Sequence, residues 1–195
     1  MLGSQSRCAD ESHHEVSELF LRELTEGDAA AFVQGANQWP EEDLVWYAFD
    51  WRPGQSFVGY LERLQKNSAG FDLPDGFVPN TMIYAFVEGQ IVGRVHIRHH
   101  LNEALKRRGG HVGYAVAPSF RGQGYAKRML KLAVPICERL GIHDVMLTCG
   151  DENVASYRVI EACGGVLTER FYDERDKIWV RRYSIVRSKL SGGTD

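Results

Sequence analysis

The segment RGQGYA, residues 121–126, is the most informative part of this chain. An apolar run, His111 to Ala117, precedes it and a long amphipathic segment follows it, which is the order strand, glycine-rich turn, helix. The first amides of a helix lack intrahelical partners and carry the partial positive charge of the helix dipole. Glycines let a bulky anion approach those amides closely. The stretch therefore predicts a binding site for a phosphate-bearing molecule.

Two common phosphate motifs are excluded by the spacing of the glycines. A P-loop needs four residues between its glycines and then Gly-Lys-Ser/Thr, and the chain has no such segment. A dinucleotide fingerprint needs a third glycine, but Gly122 and Gly124 are followed by Tyr125-Ala126-Lys127. The site is therefore expected to hold a different phosphate compound.

The sequence on both sides of the turn has a regular pattern. Apolar residues spaced by three and four predict a helix from Gly122 to Leu140, and Gly141 is placed to end it. A buried strand is expected over residues 144–149 and a second helix from Asn153 to Gly164. The remaining elements predicted are strands at 16–24, 81–87, 90–99, 111–117, 166–172 and 178–187 and helices at 28–38 and 57–69.

Two of these segments carry a family resemblance. The pattern R-G-x-G-x-A at residues 121–126 resembles the pyrophosphate motif of the GNAT N-acetyltransferase superfamily. Residues 153–165 resemble its second signature, N-x-x-S/A-x-x-x-x-E-x-x-G, and together the two cover about Gly110 to Gly165. Residues 89–110 are similar to a branch known mostly as predicted acetyltransferases. The resemblance implies a mixed α/β fold in which about four helices flank a central sheet of about seven strands.

The resemblance also implies a function and a set of binding residues. The function is transfer of an acetyl group from acetyl-CoA to a primary amine, which attacks the thioester directly. The alternative is a non-catalytic acyl-CoA-binding module with a regulatory role. The residues expected to bind the coenzyme are Ala115, Val116, Arg121, Gly122, Gln123, Gly124, Tyr125, Ala126, Asn153 and Ser156. Asn153 can equally act as a helix cap.

The catalytic residues are less well defined by the pattern. The family implies an oxyanion donor on the fourth strand, freed by a bulge, and Val116 occupies that position. His111, at the beginning of the strand, is the candidate general base, or else a histidine with a hydrogen-bonding role. Many relatives carry a tyrosine where this chain has Ile160, so Tyr157, one helical turn earlier, is the candidate acid, or else a packing residue.

Composition bounds the domain organisation. The 195 residues, 44% hydrophobic and 25% charged, suit one globular domain, expected at residues 16–190 after a loose tail at 1–15. No apolar run reaches the length of about 18 residues that predicts a membrane span. His96 and His99 lie on opposite faces of a strand and have no third partner in the pattern, so no metal site is expected.

Charge and cysteine content bear on partners and compartment. Residues 1–50 hold eleven acidic side chains against Arg7 and Arg22, whereas the rest holds 21 basic and 15 acidic. The acceptor is expected to be a small-molecule or peptide amine: a peptide N-terminus, a small polyamine or amino acid, or an antibiotic amine. An acidic acceptor side would attract a cationic amine, and a solvated helix face is the alternative. The basic charge is too localised for nucleic-acid binding. Four cysteines without a C-x-x-C pair indicate a reduced, cytoplasmic setting. A homodimer is common in the family.

Overall fold

A computed structural model describes residues 18–186 of the chain. Its strands are β1 (Leu19–Arg22), β2 (Asn80–Val87), β3 (Gln90–Arg98), β4 (Val112–Val116), β5 (Asp144–Gly150), β6 (Val166–Asp173) and β7 (Ile178–Val186). Its α-helices are α1 (Ala29–Ala36), α2 (Val45–Ala48), α3 (Phe57–Ala69), α4 (Glu103–Arg107), α5 (Tyr125–Arg139) and α6 (Val154–Glu161). The mixed α/β fold is confirmed. The predicted tail at 1–15 and the domain edges at 16–17 and 187–190 lie outside the described residues.

Two short helices, α2 and α4, were not predicted. The segment that forms α2 is rich in aromatic residues and has no helical period. Helix α4 lies in a polar insert, and it begins at Asn102, whose Oδ1 accepts a hydrogen bond of 2.9 Å from Leu105 N. A helix of four or five residues contains too few positions to establish a period. The sequence therefore accounts for the four longer helices only.

The strands form two antiparallel sheets, with the orders β1-β2-β3-β4 and β5-β7-β6. They meet where His111 N donates to Met146 O over 2.8 Å and Gly110 forms an isolated bridge with Leu147. Gly110 has a φ of 62°, and a Cβ there would lie 2.4 Å from Met146 O, so this close approach requires glycine. β4 and β5 form no ladder with each other. A gap therefore opens between these strands beyond the junction.

The four-stranded sheet is covered on both faces, as the alternation along β2 shows. On one face Ile83 and Ala85 pack in a cluster with Leu130 of α5. On the other face Tyr84 and Phe86 pack in a second cluster with helices α1 to α3. Side chains of successive strand residues point to opposite faces, so a strand buried on both faces reads as a continuous apolar run.

The second cluster is built from aromatic rings. Phe32 lies at its centre, with five ring centroids 4.9–5.8 Å away. These rings belong to Tyr47, Trp51, Phe57, Tyr60 and Tyr84. Trp46 belongs to the same aromatic segment but lies outside the cluster, with 56% of its surface exposed. The aromatic segment after α1 therefore forms core.

Asp28 gives a prediction for the pH dependence of stability. Both its carboxylate oxygens accept hydrogen bonds of 2.6 Å from Arg22, and Thr25 N donates to Oδ2 over 2.7 Å. The Arg22 bond and the Thr25 bonds lower the pKa of Asp28 to about 2. Because the folded pKa lies below the unfolded one, the stabilisation is present above pH 4 and lost as the pH falls towards 2. Asp28→Asn should lower the free energy of unfolding, measured with urea at pH 7, by about 2 kcal/mol. The free energies of unfolding of wild type and variant should converge near pH 2.

Candidate active site

The glycine-rich turn leads directly into α5, as the sequence predicts. Gly122 and Gly124 have φ values of 77° and 79°, which glycine adopts without strain. In the described part of the chain, no main-chain acceptor is recorded for the six consecutive N–H groups of residues 122–127, whereas Arg128 N donates to Gly124 O. A Cβ on Gly122 or Gly124 would meet nothing within 4 Å, so the space before these groups is open. Rows of N–H donors at a helix N-terminus are suited to binding anions.

The side chains of the turn hold it against its neighbours. Arg121 Nε donates to Val116 O over 3.1 Å, and its guanidinium carbon lies 5.7 Å from the centroid of the Trp39 ring. Gln123 Nε2 donates to Ser119 O over 3.1 Å. Both side chains bond to the protein itself, so their visible role is to fix the shape of the turn and tie it to the end of β4.

The edge of β4 that borders the gap has unpaired main-chain groups. Ala117 N donates to Val92 O of β3 over 2.9 Å. Successive residues of an antiparallel strand direct their N–H groups to opposite sides, so Val116 N–H points away from β3. β4 has no ladder partner on that side. The N–H of Val116 therefore faces the gap, where a ligand can reach it.

The bulge that the family resemblance implies in this strand is absent from β4. The β3–β4 pairing runs without a register shift, with Gly93 opposite Val116 and Arg94 opposite Ala115. A shift in this sheet lies between Ala85 and Phe86 of β2 instead. The position of β4 at a sheet edge already frees alternate N–H groups, which is the physical reason that no bulge is needed.

Asn153 and Ser156 begin α6. Asn153 Oδ1 accepts a hydrogen bond of 3.0 Å from Ser156 N, so the asparagine caps the helix. The Tyr114 hydroxyl lies 3.0 Å from Ser156 Oγ and 3.1 Å from Ser156 O, which ties the helix to β4. Burial raises the pKa of Tyr114 to about 12, so the hydroxyl stays protonated at neutral pH. The sequence analysis missed Tyr114, and its only signal was its place in the strand before the turn.

Tyr157 is half-buried beside Ser156. The guanidinium carbon of Arg181 lies 4.1 Å from the centroid of the Tyr157 ring, and the ring packs against the α5 cluster. Within residues 18–186 no hydrogen bond is recorded for its hydroxyl. Packing thus accounts for the position of the ring.

His111 uses its lone pair to hold the two sheets together. Met146 N donates to His111 Nδ1 over 3.0 Å. In the neutral ring Nε2 then carries the proton, so neither nitrogen has a lone pair for a substrate. Burial is the main cause that lowers the pKa of His111, Asp144 opposes this, and Arg98 adds to it. The geometry therefore favours the hydrogen-bonding role and counts against a general base at this position.

The other histidines of this region have protein partners. His96 Nε2 lies 2.8 Å from Asn80 Oδ1, and His99 Nε2 lies 2.8 Å from Thr81 Oγ1. Among residues 18–186 no group of three or more His, Cys, Asp or Glu side chains is arranged to hold a metal ion. In the same range no helix is long and apolar enough to cross a membrane.

A cavity of about 750 Å³ opens between α4 and the β6–β7 hairpin. Side chains of both signs line it, and they form the ion pairs Arg108–Asp176 and Arg182–Glu169. Because acidic and basic side chains both line the cavity, it has no evident preference for ligand charge.

Comparison with solved structures identifies the same architecture in other proteins. A spermidine N-acetyltransferase SpeG chimera from Vibrio cholerae and hSSAT is 21% identical, with a TM-score of 0.56 over 87% of this chain and 96% of the other. RimL, a ribosomal L7/L12 α-N-protein acetyltransferase in complex with coenzyme A, is 20% identical, with a TM-score of 0.60 over 88% and 94%. The putative acetyltransferase yncA from Salmonella typhimurium, with acetyl-CoA, is 13% identical, with a TM-score of 0.58 over 89% and 96%.

Seven strands in two antiparallel sheets, with a row of N–H donors at a helix N-terminus beside the gap between the sheets, are consistent with the acetyltransferase fold of these neighbours. No curated protein matches the chain. The family model described as an acetyltransferase (GNAT) domain matches residues 18–166. The chain therefore belongs to the GNAT acetyltransferase family, as the two sequence signatures predict.

Proposed function

We propose that this chain transfers the acetyl group of acetyl-CoA to a primary amine, which attacks the thioester carbonyl directly. The row of six N–H groups at residues 122–127 carries the proposal, because it matches the oxygens of a diphosphate. The coenzyme A and acetyl-CoA named for two neighbours support the choice of coenzyme. The names of two neighbours refer to spermidine and to a ribosomal protein as acceptors, which supports an amine.

In this proposal the coenzyme lies along the gap between β4 and β5. The diphosphate accepts hydrogen bonds from the amides of residues 122–126, with Arg121 holding the turn in shape. The pantetheine arm follows Ala115 and Val116 on one side and the first turn of α6, at Asn153 and Ser156, on the other. The thioester then lies near Val116 N–H, which faces the gap.

The chemistry assigns a role to two further groups. The amine nitrogen forms a bond to the carbonyl carbon, and Val116 N–H donates to the oxyanion that develops. The carbon–sulfur bond then breaks, the nitrogen releases its surplus proton to water, and the Tyr157 hydroxyl supplies the proton that the thiolate takes up. The tyrosinate regains a proton from water, so the step balances as amine plus acetyl-CoA giving amide plus CoA thiol. The amine must lose a proton first, at a cost at pH 7 of about 4.6 kcal/mol for a lysine-like amine and about 1 kcal/mol for an α-amine. Without a base at His111, α-amines are the easier acceptors.

The competing function is a non-catalytic acyl-CoA-binding module. One observation favours it, namely that the lone pair of His111 is engaged by Met146 N. Both functions require the same coenzyme site, so they differ only in turnover.

Titration with coenzyme and an assay of transfer together test the proposal. Calorimetry with CoA and acetyl-CoA should give saturable binding, and the purified protein should release CoA thiol from acetyl-CoA when a panel of amines is added. Binding without release of thiol by any amine would favour the module. A titration without heat and without a shift in melting temperature would remove both functions.

The cysteines bear on the compartment. Cys137, Cys149 and Cys163 are free thiols among the described residues. We infer a reducing compartment such as the cytoplasm, where free thiols persist. Fractionation of cells that express the protein, followed by detection in the cytoplasmic fraction, would test this inference.

Val116→Pro tests whether the Val116 N–H stabilises the oxyanion, because it removes that donor and leaves the β3–β4 hydrogen bonds in place. Proline removes one N–H donor, and at an edge strand the lost donor faces the gap rather than β3. We expect kcat to fall by about 100-fold or more, as for loss of one oxyanion donor. The Kd for CoA should rise by a much smaller factor, because Val116 is one of several residues along the pantetheine arm. Ala117→Pro is the control, because it removes the bond to Val92 O and should lower the melting temperature. An unchanged kcat in Val116→Pro would exclude this amide.

A further inference from the structure

Strand β3 carries polar side chains where it is buried on both faces. Arg94 and His96 are only 3% and 7% exposed, and they lie on the face that packs against helices α1 to α3. Burying a charged or polar group without full partners costs stability. Neither residue belongs to the coenzyme motifs, so their burial requires another explanation.

Arg94 carries a charge that the described residues do not neutralise. Its Nε donates to Trp46 O, and its guanidinium carbon lies 4.5 Å from the centroid of the Phe49 ring. No ion pair of Arg94 is recorded within residues 18–186, and the nearby Asp50 pairs with Arg63 instead. Burial lowers the pKa of Arg94 to about 10, so the guanidinium remains charged at neutral pH. It therefore offers a buried positive charge to an anion.

His96 offers an unused lone pair beside that charge. Asn80 Nδ2 donates to Val78 O over 2.8 Å, which leaves Asn80 Oδ1 as the acceptor for His96 Nε2. Nδ1 is then the unprotonated nitrogen, and it is buried without a hydrogen-bond partner. Burial, together with Arg98, Arg94 and His99, lowers the pKa of His96 well below its ordinary value, so the ring is neutral.

Phe49 covers both side chains with a strained backbone. Its φ is 45° and its ψ is −94°, in a region that costs a non-glycine residue about 1–3 kcal/mol. Its half-buried ring lies 4.7 Å from the His96 ring, centroid to centroid, and also contacts the Arg94 guanidinium. Such strain is typical of segments that close over a ligand site.

The covered pair lies next to the proposed place of transfer. Arg94 is opposite Ala115 and His96 is opposite Gly113 in the β3–β4 register. Neighbouring strands are about 4.8 Å apart. Gly113 and Ala115 on β4 are small, and the Arg98 guanidinium lies beside Gly113, with Nη1 3.7 Å from where a Cβ would be. A ligand on Arg94 and His96 is therefore within reach of the thioester at Val116.

We propose that Arg94 and His96 form the acceptor subsite and that the acceptor is a primary amine that also carries a carboxylate, as amino acids do. Arg94 binds the carboxylate through two parallel N–H donors, and His96 Nδ1 accepts a hydrogen bond from the amine, once the Phe49 ring turns aside. The exposed acidic turn at Glu41–Asp43 suits the ammonium end of such a zwitterion during approach. The inference rests on the proposed acetyl transfer.

Pairs of amines that differ only in the carboxylate test the subsite. Phenylalanine and phenethylamine form one pair, and dipeptide amides that begin with Asp or Asn form the other, which distinguishes free amino acids from acidic peptides. In at least one pair, we expect kcat/KM for the amine, measured with saturating acetyl-CoA, to be at least 100-fold higher for the member with the carboxylate than for the member without it. Equal or reversed preference in both pairs would overturn the proposal.

Binding is measured separately from turnover. Calorimetric titration of the same pairs into the CoA complex should show binding of the carboxylated member alone. If that member binds but no amine is acetylated, the proposed transfer fails and the subsite stands. If CoA binds and neither carboxylated amine does, the subsite fails and the coenzyme site stands.

Three variants assign the effect to particular residues. Arg94→Met should reduce the preference for the carboxylate to less than threefold, with little change in melting temperature. His96→Leu should weaken both members of a pair by 10-fold or more, because both carry the amine. Arg98→Met is the matched control on the same strand, since Arg98 Nη1 already donates to the carbonyl oxygens of Gly109 and Gly110 over 3.2 and 3.1 Å. An equal loss of the preference for the carboxylate in Arg98→Met would overturn the assignment to Arg94. If Arg94→Met does not fold, the comparison of the amine pairs and the His96→Leu variant decide whether the subsite exists.

Discussion

Gly124→Trp should weaken CoA binding by 100-fold or more while the protein remains folded. Gly124 lies at the centre of the row of N–H groups, and a Cβ there meets nothing within 4 Å, so an indole would occupy the open space before them. The φ of 79° costs a non-glycine residue about 1 kcal/mol, which lowers the melting temperature by about 2–4 °C in a domain of this size. Calorimetric titration with CoA and thermal unfolding measure the two effects.

Gly141→Trp is the matched control for this prediction. Gly141 has a φ of 80°, and a Cβ there also meets nothing within 4 Å, but it lies just beyond the opposite end of α5. The backbone strain is thus the same and the CoA affinity should not change. Equal CoA affinity in the two variants would mean that the coenzyme binds somewhere other than this turn.

Gly110→Ala should cost about 3 kcal/mol of stability and also weaken CoA binding. The added Cβ would lie 2.4 Å from Met146 O and 2.9 Å from Met146 C, which are main-chain atoms of the other sheet and cannot move aside cheaply. The φ of 62° adds strain. Because this junction sets the width of the gap, the coenzyme should lose affinity together with stability. Urea unfolding and CoA titration measure both quantities.

Gly89→Ala is the control that separates the cost of backbone strain from the cost of the steric clash at Gly110. Gly89 has a φ of 76° in the turn between β2 and β3, and a Cβ there meets nothing within 4 Å. It should cost about 1 kcal/mol and leave CoA binding unchanged. If Gly110→Ala costs no more than Gly89→Ala, the close contact between the sheets is not a constraint on the fold.

The sequence predicts what depends on short-range pattern. The helix α5 follows from residues spaced by three and four, and its beginning at Gly124 and its end before Gly141 follow from glycine's tolerance of positive φ. The strands of the β2–β3 hairpin follow from a two-residue turn between apolar runs. The open row of N–H groups is also predictable, because it needs only the turn and the helix that follows it.

What depends on contacts between distant residues was not predictable. His111 has the side chain of a base, but its lone pair is taken by Met146, 35 positions away in the chain. Likewise, nothing in the sequence marks Arg94 and His96 as buried, since polar residues that alternate along a strand are typical of a face in water. Their burial becomes visible only when α2 places Trp46 O and Phe49 against them.

The junction at Gly110 has a further consequence for solubility. A strand edge with free N–H and C=O groups is a template on which a second protein molecule can add a strand, and this is a common route to aggregation. For a further strand to fit between β4 and β5, these two strands would have to lie two strand spacings apart, or about 10 Å. The junction at Gly110 holds them closer than that at one end. The edge is thus accessible to a slender molecule but not to a further polypeptide strand. The N–H and C=O groups of β4 can therefore stay unpaired without causing aggregation.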